Sequence, residues 1–144
     1  MAKIPSKGTA LKVDIATVYT TIAQVISLNG PDAEVQTFNG TSLDGGVGMP
    51  KIPTGYVDGG TVSGELFFDP VAATHQQLTD DITNPIRSSG TVLNRDFKIV
   101  WPDTASTEWA FNGVVKRFGP SATLQDGLKA SFAVEVNGIV SYPT

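Results

Sequence analysis

The chain has 144 residues, fourteen acidic and ten basic, for a net charge of −4, with no cysteine and one histidine. That length suits one domain with a hydrophobic core of its own, and a chain without cysteine has no disulfide framework, thiolate metal site or cysteine nucleophile. The acidic balance argues against gripping nucleic-acid phosphates through clustered Lys and Arg, and no apolar run approaches the roughly 20 residues of a membrane span or resembles a signal peptide.

From the N-terminus, Ala10 to Ile15 reads as a first strand and Thr20 to Leu28 as the next. Asn29-Gly30-Pro31 is a turn signal, with Ala33 to Phe38 as the strand beyond it. Asn39 to Gly60 then holds seven of the fifteen glycines and two of the nine prolines. Hairpin loops usually need about two to five residues, so this segment is expected to be a long loop with a function. Its apolar residues Leu43, Val47, Met49, Ile52, Tyr56 and Val57 are ones a solvated linker lacks, and they call for a partner surface on the same domain or on another subunit.

Beyond the loop, Val62, Gly64, Leu66 and Phe68 alternate with Ser63, Glu65 and Phe67, the pattern of a strand with one buried face. Asp69-Pro70 is a helix start signal, since Asp accepts from orphan N–H groups and Pro at the first helical position loses no donor. Val71, His75, Leu78 and Ile82 follow at spacings of four, three and four. They predict a helix over about 70–83 packing one stripe on a sheet, ended by Asn84-Pro85. Phe97, Ile99 and Trp101, then Trp109, Phe111, Gly113 and Val115, then Leu128, Ala130, Phe132, Val134 and Val136 each alternate with wetter residues. Asn137-Gly138 reads as a turn into a short last segment ending at Tyr142. The expected fold is mainly β: an antiparallel β-sandwich or barrel of about seven or eight strands, with one flanking helix (about 70–83) and the long Gly-rich loop (about 39–60).

Few residues point to chemistry. His75 lies on the apolar stripe and reads as a packing residue rather than a catalytic one. Asp80-Asp81, with Asp69 and Glu65, matches no calcium-loop spacing and reads as a solvated helix face. Gly45-Gly46-Val47-Gly48 lacks the Gly-Lys-Ser/Thr and the βαβ setting of a phosphate loop. Trp101, Trp109 and Phe111 offer a carbohydrate-stacking platform or, at alternating strand positions, core. No nucleophile and base come within a recognisable constellation, so no enzyme activity, metal or cofactor is expected.

An order of features does point to function: VISLNGP at 25–31, the Gly-rich loop, DGGTVSGELFFDP at 58–70 running into VAATHQQL at 71–78, WAFNGVVKRFGP at 109–120 and LQDGLKASFAVEVNG at 124–138. In this order they resemble the tail tube (major tail) proteins of long-tailed bacteriophages, related in fold to the tube protein of type VI secretion. The resemblance implies a structural virion protein that self-assembles into hexameric rings. The rings stack into a hollow tail tube for viral genome ejection, assembled in the host cytoplasm. It implies as partners other copies of the chain, tail initiator and terminator proteins, and a tape measure protein and DNA that pass the lumen without specific binding, with no membrane. It also implies that the long loop reaches the adjacent ring, and that its flanking strands line the lumen with Glu34, Gln36, Ser63 and Glu65. Phe38 falls on the Glu34 face by alternation, so a bulge or an early strand end is needed to remove it. Some relatives carry a C-terminal immunoglobulin-like domain; this chain ends at Thr144, and a single domain without that extension is expected. The competing reading is a monomeric β-sandwich binding module for carbohydrate or adhesion at a virion or cell surface.

Overall fold

The alternating segments become a single antiparallel sheet. A computed structural model describes residues 3–84 and 95–143, and among them the chain forms nine strands and one helix. These are β1 (Ala10–Ile15), β2 (Val18–Thr21), β3 (Val25–Asn29), β4 (Glu34–Asn39), β5 (Lys51–Asp58), β6 (Thr61–Phe67), α1 (Ala73–Thr83), β7 (Arg95–Val100), β8 (Glu108–Thr123) and β9 (Gly127–Ser141). Seven strands form one sheet in the order β2-β1-β7-β8-β9-β6-β3, while β4 and β5 pair only with each other.

The strand order requires the sheet to curl. β2 and β3 are its two edges, yet only Ile22–Gln24 separate them in the chain. A flat sheet would put edges six strand steps apart, about 29 Å, whereas these residues reach no more than about 14 Å fully extended. The edges therefore come together as a barrel around Leu11, Val13, Val62, Leu66, Phe97, Ile99, Phe132 and Val134, each almost completely buried. Phe97 and Phe111 stack across β7 and β8, ring centroids 5.6 Å apart. The expected single strand Thr20 to Leu28 is thus two strands with a crossing between them.

Helix α1 holds that crossing. The Ala23 N–H donates to Thr74 Oγ1 (3.2 Å), and the Ala23 carbonyl accepts from His75 Nε2 (2.8 Å). His75 Nδ1 in turn accepts from the Asp69 N–H (3.0 Å), which fixes the Nε2–H tautomer. Both backbone polar groups of Ala23 are satisfied by helix side chains, as a buried chain crossing requires. The stripe differs from the expected one: His75 and Leu78 are buried, alongside Thr74 and Asp81. Val71 is 80% exposed and Ile82 36%. The reason is at the start of the helix. Asp69 Oδ1 accepts from the Val71 N–H and the Ala72 N–H bonds Asp69 O, so Asp69 and Pro70 build a turn, and Ala72 is the N-cap. The helix ends at Asn84, and Pro85 lies outside the described residues.

Asp81 also corrects the solvated-face reading. It is 4% exposed and takes a two-pronged contact from Arg95 on β7, Nε to Oδ2 at 2.6 Å and Nη2 to Oδ1 at 2.9 Å. Arg95 Nη1 also donates to the Asp14 carbonyl on β1 (3.0 Å), and Gln77 Nε2 donates to Asp81 Oδ1 (2.8 Å). Helix, β1 and β7 are tied by one guanidinium.

Two further differences concern turns. Asn137-Gly138 does not turn the chain. Asn112 faces Asn137 and Ala110 faces Ser141, so β9 runs on through a bulge that Gly138 accommodates at φ +89°. The β1–β2 turn places Ala16 and Thr17 at φ 51° and 68°, a left-handed pair that suits Asn-Gly far better. Ala16→Asn with Thr17→Gly is expected to raise stability by about 1 kcal/mol, because each non-Gly residue in that region costs about 1–2 kcal/mol and the added glycine freedom offsets part of the gain. The melting midpoint should rise by about 2–4 °C. An unchanged or lowered midpoint by circular dichroism would show that this turn carries no such cost.

Candidate assembly surface

The segment expected as a loop over 39–60 is mostly a β-hairpin arm. β4 and β5 pair from Glu34↔Asp58 through Val35↔Val57, Thr37↔Pro53 and Phe38↔Ile52 to Asn39↔Lys51. Alternation misses β5 because its register slips by two residues between Val57 and Pro53. Gly55 sits in the bulge at φ +93°, and Thr54 Oγ1 bonds both the Gln36 carbonyl and the Tyr56 N–H. The loop proper is short: the Gly40 N–H donates to the Pro50 carbonyl at its neck, and the Gly45 N–H to Ser42 O in a tight turn.

Every residue of β4 and β5 is exposed. Leu43 and Val47 on the tip are fully exposed, and Met49, Ile52, Tyr56 and Val57 are exposed as well, joined by Val35 and Phe38. Pairing and alternation put Val35 with Val57 on one face and Phe38 with Ile52 on the other. The arm is apolar on both faces with no core beneath it. A lone two-stranded hairpin is marginally stable in water at best.

The arm is the outward continuation of the β3–β6 pair, so Asn29-Gly30-Pro31 is not a hairpin turn. β3 pairs with β6 and β4 with β5, and both strands bend at one level. Gly30 (φ +89°) and Gly60 (φ +84°) make the bend. A Cβ on Gly30 would lie 2.3 Å from the Thr61 carbonyl oxygen, and one on Gly60 about 2.6–2.7 Å from Asp32. The Asp32 carboxylate accepts from the Thr61 N–H (3.0 Å), Asp58 Oδ1 from the Gly60 N–H (3.0 Å), and the Gly60 carbonyl from Val136 of β9. The arm root is latched to the barrel.

The hydrogen bond from Thr61, assisted by the Asp32 backbone N–H, holds the Asp32 carboxyl below its ordinary 3.8. A depressed folded-state value means that the latch is fully present above 3.8 and is lost as pH falls through the lower value. The Thr61 amide proton resonance is expected to titrate with a midpoint below 3.8, and to lose this titration in Asp32→Asn. A Thr61 amide insensitive to Asp32 would overturn the latch.

Glu34 and Gln36 lie on the arm, while Ser63 and Glu65 lie on β6 beyond the bend, on the face opposite buried Val62, Gly64 and Leu66. Phe38 stays on the Glu34 face: β4 runs to Asn39, and the bulge that would have displaced it lies in β5. Sequence reasoning missed a second projection. β8 and β9 pair out to Thr123↔Gly127, leaving Leu124 fully exposed at the turn. Asp126-Gly127 was the turn signal that marks it.

No protein-family model and no characterised protein matches the chain by sequence. Solved structures do. The tail of an empty gene transfer agent particle, determined by helical refinement with C6 symmetry, superposes with a TM-score of 0.78 at 16% identity, covering 99% of this chain and 100% of that one. The SPP1 tail tube superposes with a TM-score of 0.66 at 11% identity, covering 96% and 80%. The chain has the fold of phage tail tube proteins. A chain of the anti-feeding prophage baseplate shares the tail tube fold as well, with a TM-score of 0.74 at 10% identity over 98% and 95% of the two chains. At these identities the likeness is one of fold.

Proposed function

We infer that this chain is a self-assembling structural subunit of a phage-type tail, forming hexameric rings that stack into a hollow tube for genome delivery. The observation that carries this reading is the β4–β5 arm, exposed along its whole length and apolar on both faces. Another copy covering it would remove an apolar area that isolated monomers rarely expose. The tail tube fold supports the reading, since its counterparts come from assembled particles, one of them refined with C6 symmetry. The open edges of β2 and β3 add unpaired backbone groups that a neighbouring subunit can satisfy. A closing head-to-tail contact builds a ring, and a second axial contact builds a tube. In this reading the chain catalyses nothing and needs no cofactor, and its partners are its own copies, the tail initiator and terminator proteins, and a tape measure protein and DNA that pass through the lumen.

Negative-stain electron microscopy of the purified protein at high concentration tests this. Rings and tubes are expected. A chain that stays monomeric in every condition and binds a defined sugar or surface ligand is the binding module instead.

The lumen follows as part of the same proposal, with Glu34, Gln36, Ser63 and Glu65 facing the passing DNA. DNA carries a charge per roughly 1.7 Å of axis, so carboxylates repel it and let it slide. Glu34→Lys with Glu65→Lys should give tubes that hold DNA and eject it more slowly at low salt. Ejection at the wild-type rate across a range of salt would remove these residues from the lumen.

A further inference from the structure

The arm needs a receiving surface, and the barrel offers one. A groove of about 470 Å³ lies between the N-terminal segment and the β7–β8 connection, lined by Ile4, Pro5, Trp101, Pro102, Thr107 and Trp109. That volume falls within the range of sites that enclose a ligand. Its walls are held in place. Trp109 makes edge contacts with Trp101 (centroids 5.1 Å apart) and Tyr142 (4.7 Å). The connection is pinned by the Trp101 N–H on the Thr107 carbonyl (2.9 Å) and the Thr107 N–H on Asp103 Oδ1 (2.7 Å).

One polar group in this wall is left over. The Trp101 indole Nε1–H is buried and has no acceptor among the described residues. An orphaned buried donor costs about 1–3 kcal/mol. The groove therefore suits an occupant that brings an apolar side chain together with a backbone carbonyl able to approach an indole closely. Three apolar side chains of this chain are fully exposed: Leu43, Val47 and Leu124. Only Val47 is flanked on both sides by glycine, and a Cβ added to Gly46 or Gly48 would meet nothing. Its neighbouring carbonyls are thus free of side-chain shielding. In the single copy no residue of the arm lines the groove, and the arm root is latched.

We propose that the Trp101–Trp109 groove receives the Gly46-Val47-Gly48 tip of the arm from another copy of this chain, with Val47 as the apolar anchor and a tip carbonyl accepting from the Trp101 indole. The proposal rests on the self-assembly reading above.

The chain has no cysteine, which makes a crosslinking test clean. Full-length Val47→Cys and Pro5→Cys copies, carrying different tags, are mixed, assembled and oxidised. Disulfide-linked pairs joining the two variants are expected within the tubes. Trp101→Phe, which removes the indole donor and keeps an aromatic ring, is expected to raise the concentration needed for assembly about fivefold, the equivalent of about 1 kcal/mol, while the monomer melts within a few degrees of wild type. Tubes that form without the Val47–Pro5 linkage overturn the groove assignment and leave self-assembly standing. A disulfide within single copies of the double variant at high dilution shows the arm folding onto its own barrel and also overturns it. A wild-type chain that never assembles overturns the self-assembly reading, and this proposal with it.

Discussion

Replacing residues 35–57 by a short Gly/Ser linker between the register partners Glu34 and Asp58 is expected to leave a folded, monomeric barrel that no longer builds tubes. No residue of β4 or β5 is buried, and loop-closure entropy changes slowly with length, so the melting midpoint should move by only a few degrees. Assembly should weaken at least a thousandfold, about 4 kcal/mol per contact. The energetics of the tip explain why assembly is switchable. Fixing residues 41–49 costs about 9–18 kcal/mol at 1–2 kcal/mol per residue. Burying Leu43, Val47, Met49, Ile52, Tyr56 and Val57 returns a similar amount at about 1.5–3 kcal/mol each. The two sums nearly cancel, so a single arm contact is marginal, and tubes should appear only after a slow nucleation step. Light scattering with electron microscopy checks both points. Normal tubes from the shortened chain would remove the arm from assembly, and an unfolded product would make it part of the fold.

The second large effect is expected at Asp81→Ala. Asp81 is nearly buried, and its removal leaves the Arg95 guanidinium without a counter-charge against the helix. Breaking a buried pair by removing one partner costs about 3–5 kcal/mol, against a total stability for a domain of about 5–15 kcal/mol. A fall of about 10 °C or more in the melting midpoint follows. Asp81→Leu combined with Arg95→Met should recover most of the loss, because a packed apolar pair is often as stable as the ion pair it replaces. Urea unfolding of the three variants measures this. A single variant that loses under 1 kcal/mol would show that Arg95 is fully solvated and the tie between helix, β1 and β7 is dispensable.

The self-assembly reading also sharpens what the latch at the arm root does. With Gly30 and Gly60 packed against the opposite strand, the direction of the arm is set by the barrel rather than by a free linker. A preset direction reduces the freedom lost on docking, which helps a contact whose sums are close to balance.

Alternation alone located most of the barrel. Phe97 and Ile99, Phe111 and Val115, Phe132 and Val134, and Val62 and Leu66 each put a buried side chain at every second position, because one side of a strand faces the core and one faces water. The order of the segments also pointed to the tail tube fold, since turn residues and buried positions recur in register with chain topology. What the sequence could not convey was pairing. Thr20 to Leu28 is continuous as a pattern, yet its halves sit on opposite edges of a curled sheet, and only closure of the barrel decides that. Asp81 carries no local mark of burial, because its partner Arg95 lies fourteen residues away and meets it through the packing of helix on sheet. Asn39 to Gly60 reads as loop because its apolar residues follow no period of two. Its pairing rests on a two-residue bulge at Gly55, and its side chains meet no core whose burial would print a pattern on the sequence. The tertiary structure alone showed that these residues leave the barrel as a paired arm, aimed by two glycines.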